Sequence, residues 1–133
     1  MVSVFLSYVF EDVAYRDQLV SWAQRGELGP GIRLVFEAED VRQKGDAGIR
    51  AHLRPILEGA HALLVMVGTD SHDRRWMDYE IAFAQSARKG VIVVRLPNTT
   101  GAAPPGVRSL NETVFSPSAI ATSLRSLVAS GSR

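Results

Sequence analysis

The sequence predicts an α/β domain in which helices cover both faces of a parallel sheet. Two observations carry this: short apolar runs alternate with helical patterns along most of the chain, and the runs around Leu64 and Ile92 are apolar on successive residues. Alternation of strand and helix is the mark of crossover connections between parallel strands. A strand apolar on both sides is covered on both faces, which places these two runs inside the sheet.

In chain order, strands are expected at Val2 to Tyr8, Ile32 to Phe36, Ala62 to Val67, Val91 to Leu96 and, more weakly, Thr113 to Phe115. After the first, Asp12 is expected to cap a helix that sets Tyr15, Leu19, Trp22 and Ala23 at helical spacing, with Gly26 and Gly29 as terminators. A second helix from about Asp46 carries Ile49, Leu53, Ile56, Leu57 and Ala60 on one stripe, with Pro55 expected to kink it and Gly59 to end it. The third spans roughly Trp76 to Arg88 and is apolar over more than one face. Pro97 to Asn111, rich in Gly and Pro, reads as an irregular loop. A last helix opens with Ser116 as cap and Pro117 as first residue, then buries Ile120, Leu124, Leu127 and Val128. The layout is that of a flavodoxin-like, doubly wound parallel sheet of five strands in the order 2-1-3-4-5. The charged stretch Glu37 to Gly45 has no apolar periodicity with which to dock and is a candidate gate.

A chain of 133 residues fits one domain, taken as 1–133. With 46% hydrophobic and 22% charged residues and a net charge of +1, no nucleic-acid partnership is expected. The absence of cysteine removes disulfides and thiolate chemistry, and fits a reducing, cytoplasmic setting. The apolar start Val2 to Val9 is shorter than a membrane span and runs into Glu11 and Asp12, so no membrane partner is expected. His52, His61 and His72 do not fall at metal-ligand spacing, and no P-loop or G-x-G-x-x-G motif is present. Neither a metal nor a resident cofactor is expected.

In such sheets ligands bind outside the carboxyl ends of the strands, where strand order reverses, here between strands one and three. Ser7, Tyr8, Glu11 and Asp12 follow the first strand, and Gly68, Thr69, Asp70, Ser71 and His72 follow the third. The third helix then brings Trp76 and Glu80 one turn apart. A carboxylate on an apolar stripe is costly to bury alone, so Glu80 either serves a site, pairs with Arg74 or Arg75, or faces solvent. Tyr8 either stacks on a ligand ring or packs, and Arg74 and Arg75 meet a pyrophosphate or face water.

The segment Val4, Phe5, Leu6, Ser7, Tyr8 with Asp12 following resembles the opening strand of TIR and TIR-like domains. The segment Arg75, Trp76, Met77, Asp78, Tyr79, Glu80, Ile81 is similar to that family's catalytic-glutamate helix, a Trp four residues before the Glu. The likeness runs from Val2 to about Leu96 and is nearest to the bacterial TIR-like proteins of the Thoeris anti-phage system. It implies cleavage of NAD, as substrate, at the nicotinamide–ribose bond, giving ADP-ribose or a cyclic ADP-ribose signal. It implies Glu80, ionised, as the catalytic group, and Ser7, Tyr8, Asp12, Arg75 and Trp76 as substrate-binding residues. Self-association with other TIR domains and an effector that senses the product are the implied partners. Three rivals share the layout: a TIR adaptor that cleaves nothing, a phosphoacceptor receiver using Glu11, Asp12 and Asp70, and a nucleoside deoxyribosyltransferase-like enzyme.

Overall fold

The computed structural model describes residues 1–37, 45–71 and 74–131, except for the side chains of 46, 49 and 128–131. Its elements are β1 (Val2–Ser7), α1 (Val13–Gln24), β2 (Ile32–Val35), α2 (Asp46–Gly59), β3 (Ala62–Val67), α3 (Arg75–Ser86), β4 (Gly90–Arg95), β5 (Glu112–Val114) and α4 (Pro117–Gly131), with 3-10 turns at Phe10–Asp12 and Pro105–Val107. All strand pairs are parallel, in the order β2-β1-β3-β4-β5. β1 therefore lies between β2 and β3, as the sequence predicts.

Every residue of β3 is buried, because helices cover both sides of it. The alternation of side chains along the strands sorts the interior into two cores. Phe5, Leu63, Val65, Val67 and Val93 pack with Leu53 and Leu57 of α2 and Met77, Ile81 and Ala84 of α3. Val4, Leu6, Leu64, Met66, Ile92 and Val94 pack with Leu19 of α1 and Ile120 and Leu124 of α4. The parity of a residue on β1 thus decides which pair of helices it meets.

α4 begins as expected: the Ser116 hydroxyl accepts from the Ala119 amide at 3.2 Å, and Pro117 is its first residue. α2 continues through Pro55 as one helix, and the Lys89 ammonium donates to the carbonyl of Ala60 at its end, at 2.5 Å. α1 departs from expectation, since Asp12 makes no side-chain capping bond. The Phe10–Asp12 turn leaves Asp12 at φ −99° and ψ 18°, outside the extended region an N-cap adopts, and its carboxyl reaches across to Gly68 instead.

The Pro97 to Asn111 stretch is irregular apart from its one 3-10 turn, and it closes against the end of β3. Arg95 donates to the Gly101 carbonyl at 2.7 Å. A Cβ on Gly101 would lie 2.3 Å from the Thr69 carbonyl oxygen and 2.4 Å from that of Gly68. Because both obstacles are backbone, Gly101→Ala is expected to destabilise the fold by about 1–3 kcal/mol through overpacking. Urea unfolding measures this, and an unchanged midpoint would show that the loop yields freely.

Candidate active site

Ser7 is the last residue of β1 and has odd parity, so it points toward α3 and is fully buried. Its hydroxyl donates to Oε1 of Glu80 at 2.6 Å. Glu80 is only 3% exposed, so it neither pairs with Arg74 nor faces solvent. Burial pushes its carboxyl up from 4.5 to about 8, the Ser7 bond pulling it down and the charge of Glu37 pushing it further up. At neutral pH the resting Glu80 is therefore protonated, contrary to the ionised form expected from sequence. Desolvation outweighs the single hydrogen bond from Ser7.

Trp76, one turn earlier on α3, packs against the same core and donates its indole N–H to the Tyr8 carbonyl at 3.4 Å. It thereby covers the end of β1 beside Glu80. The Arg74 guanidinium sits 5.7 Å from the Trp76 ring centre and pairs with Glu11 at 2.8 Å, tying the turn after β1 to the start of α3. Arg75 is exposed on the first turn of α3.

Tyr8 goes the other way. Its even parity sends the ring into the core under α1, where it is 8% exposed and meets Phe36 edge-on at 6.3 Å. Its hydroxyl donates to the Glu37 carbonyl at 2.7 Å and accepts from Arg16 at 2.9 Å. Packing is thus the role the structure gives this ring, and the sequence reading grouped it with Ser7 by neglecting the alternation.

Asp12 lies across the mouth at Gly68, where an added Cβ would fall 2.7 Å from its Oδ2. That oxygen is buried with no partner, and burial first, then Glu11 and Asp70, raise the carboxyl above its usual range while Arg74 opposes them. On the β3 side the Ser71 hydroxyl accepts from the Gly68 amide at 2.9 Å, holding the turn that receives Asp12. Ser7, Asp12, Trp76 and Glu80 are thus placed around the carboxyl ends of β1 and β3.

Glu37 opens the candidate gate, and His52 was not among the site residues expected from sequence. Glu37, just past β2, acts electrostatically on Glu80, and His52 of α2 is paired through Nε2 with the Glu37 carboxylate. Of the candidate gate Glu37 to Gly45, residues 38–44 lie outside the described residues, as does His72. Among the described residues no cluster could hold a metal ion and no helix is long and apolar enough to cross a membrane. A cavity of about 460 Å³ lies at the opposite end of the strands, lined by His61, Lys89 and Gly90, away from all of these residues.

The sheet order and the helices on both faces define a flavodoxin-like α/β domain, with a serine bonded to a buried helix glutamate at the end of its first strand. Residues 5–101 match the family model of the Thoeris protein ThsB, TIR-like domain, and the chain belongs to that family. A crystal structure of a conserved protein from Enterococcus faecalis V583 is similar in fold, with a TM-score of 0.52 and 18% identity over 72% of this chain. The likeness spans 63% of that protein's chain. No match is found among curated proteins.

The proton on Glu80 makes stability depend on pH in a defined direction. Because the folded value of about 8 lies above the ordinary 4.5, the contribution is complete below about 4.5 and is lost as pH rises through about 8. Glu80→Gln keeps the size and removes this dependence. Its melting temperature is expected to be close to the parent's near pH 5 and several degrees above it near pH 9. Thermal unfolding across pH measures the gap, and a gap that does not widen toward alkaline pH would contradict the buried, protonated assignment.

Proposed function

We propose that this domain cleaves NAD at the bond between nicotinamide and ribose, as part of bacterial anti-phage defence. The observation that carries the reading is the Ser7–Glu80 bond of 2.6 Å at the carboxyl end of β1, with Trp76 closing over the same strand end. The nicotinamide ring nitrogen already bears positive charge and leaves as a neutral base, so no proton donor is needed. The ribose is left oxocarbenium-like, and water or a nucleophile within the same molecule captures it, giving ADP-ribose or a cyclic product. What the transition state needs is a negative charge held ready in a dry site, which an ionised Glu80 provides.

A buried carboxyl that is neutral at rest suits this task. The cationic nicotinamide ring of the substrate supplies the missing counter-charge, the Glu80 proton passes to solvent, and the carboxylate is left facing the developing cation, with the Ser7 hydroxyl favouring the ionised form. Asp12 and Trp76 line the mouth, Arg75 stands at its outer edge, and NAD is substrate rather than cofactor. Since Glu80 is only 3% exposed, side chains around it must shift before ribose reaches it. Self-association is the proposed trigger for that shift, and a separate effector is the proposed reader of the product. The setting is the cytoplasm, where NAD is at hand.

Glu80→Gln is expected to lower nicotinamide release by about 100-fold or more, with KM changing less, as for other preorganised electrostatic groups. In the parent, kcat/KM is expected to rise with pH and level off near the value of about 8 assigned to the free carboxyl. Chromatography of the products checks both, and a folded Glu80→Gln protein that releases nicotinamide at the parental rate refutes the reading. Specific activity is further expected to climb with protein concentration. Full activity in a sample shown to be monomeric by light scattering would remove self-association from the proposal.

A further inference from the structure

The cavity of about 460 Å³ at the amino ends of the strands opens among the first residues of three of them, Val2 of β1, Ala62 of β3 and Gly90 of β4. Its volume falls within the range of small-ligand sites, about 300–1,000 Å³. Arg88 and Lys89 join its wall from the turn that ends α3, and His61 from the turn that ends α2. The turn after α3 is closed by the Lys89 amide on the Ala84 carbonyl at 2.8 Å and the Arg88 amide on the Gln85 carbonyl at 3.1 Å. That pattern sets Arg88 at φ +57°, in the left-handed region, where glycine is preferred because a Cβ crowds the following carbonyl. Asn98, the other non-glycine residue at positive φ among those described, is of a type that tolerates it. Arginine is not, so the chain keeps a strained position occupied by a guanidinium. Among the described residues that guanidinium has neither a hydrogen-bond nor an ion-pair partner.

The groups beside it are donors. The Ser3 amide donates to Nδ1 of His61 at 2.9 Å, so the neutral imidazole carries its proton on Nε2. The Lys89 ammonium donates to the carbonyls of Ala60 at 2.5 Å and Glu58 at 3.3 Å, which offsets the negative end of α2 and leaves its third proton. Glu58 is the one acid among the described residues of the wall, and Arg54 holds it at 2.8 Å. Arg33 adds a cation behind His61, donating to the Ser3 hydroxyl at 3.1 Å. We propose that this cavity binds a phosphomonoester, gripped by the Arg88 guanidinium, with the third proton of Lys89 and the Nε2–H of His61 as further donors. A guanidinium meets two phosphate oxygens at once, and the charges of Arg88 and Lys89 together balance a dianion. Val2, Ala62 and Leu127 give the same wall an apolar part against which the body of the ester rests. The site lies at the other end of the sheet from Glu80 and does not depend on the reading of that residue.

The test is a titration of the nitrogen-15-labelled full chain with phenyl phosphate at about pH 7.5, above the second ionisation of a phosphomonoester at about 6. Saturable amide shifts are expected at His61, Lys89 and Gly90. Arg88→Gly removes the guanidinium and suits the left-handed turn, so it is expected to weaken binding by about tenfold or more. The same variant is expected to melt about 2–4 °C higher than the parent, because it relieves the strained position. Arg88→Ala keeps the Cβ and is expected to lose binding without that rise. Inorganic phosphate, which lacks the apolar body, is expected to bind several-fold more weakly, and equal affinity would mark an adventitious ion only and overturn the proposal. Benzoate bound as tightly as phenyl phosphate would overturn the phosphate assignment. Shifts that do not saturate or that fall elsewhere, or parental affinity in Arg88→Gly, would overturn the site. A lower melting temperature in Arg88→Gly would do the same, since it would assign the arginine to stabilising the end of α3.

Discussion

The hydrogen bond from the Ser7 hydroxyl to the buried Glu80 carboxyl is the contact around which the site is organised. It joins the last residue of the central strand to the middle of a helix 73 residues later in the chain. Both partners sit where an apolar side chain would otherwise complete the core between sheet and helix, among Phe5, Val65, Met77 and Ile81. A polar pair in that place adds less to stability than packed hydrocarbon, and burying the carboxyl costs it its charge. On the proposed reading, what offsets that cost is the work of the pair at the mouth of the sheet.

Much of this was legible in the sequence, and the reasons differ by element. The strand order followed from β3 and β4, whose unbroken apolar runs demand cover on both faces, and from the placing of helices between strands. Ser116 and Pro117 announced α4 because capping is a local interaction that a tetrapeptide can specify. Asp12 shows where local reasoning stops. It has the right chemistry for a cap, yet the turn before it sets a different backbone angle, and Gly68, far away in sequence, leaves the space its carboxyl fills.

The site divides in the same way. That Glu80 and Trp76 lie together was legible because helical spacing is local, and that Ser7 ends the first strand because a polar residue closing an apolar run is conspicuous. The protonation of Glu80 was not legible, since it depends on how many apolar neighbours close over it and on a charge brought by Glu37. Tyr8 was misplaced for a simpler reason: adjacent residues of a strand serve opposite faces, and the ring belongs with Phe36 and Arg16. The Glu37–His52 pair was invisible in the sequence because nothing local links the end of one strand to the middle of the next helix.

These observations bear on the choice between an enzyme and an adaptor of the same family. An adaptor needs its surface, and nothing in surface recognition requires a carboxyl that is 3% exposed and neutral at rest. A group displaced this far from its ordinary ionisation carries an electrostatic cost, which in the proposed reaction a cationic ring offsets by letting it ionise. A structural role would be served better by glutamine, which keeps the bond to Ser7 without a titratable proton, or by leucine, which fills the space. A substrate whose cationic ring passes its charge to the sugar as the bond breaks is the kind of ligand that the proposed reading sets against this cost. On the proposed reading, the energy withheld from folding at Glu80 is what the transition state recovers, and the buried serine and the covering tryptophan are the conditions under which it can be held.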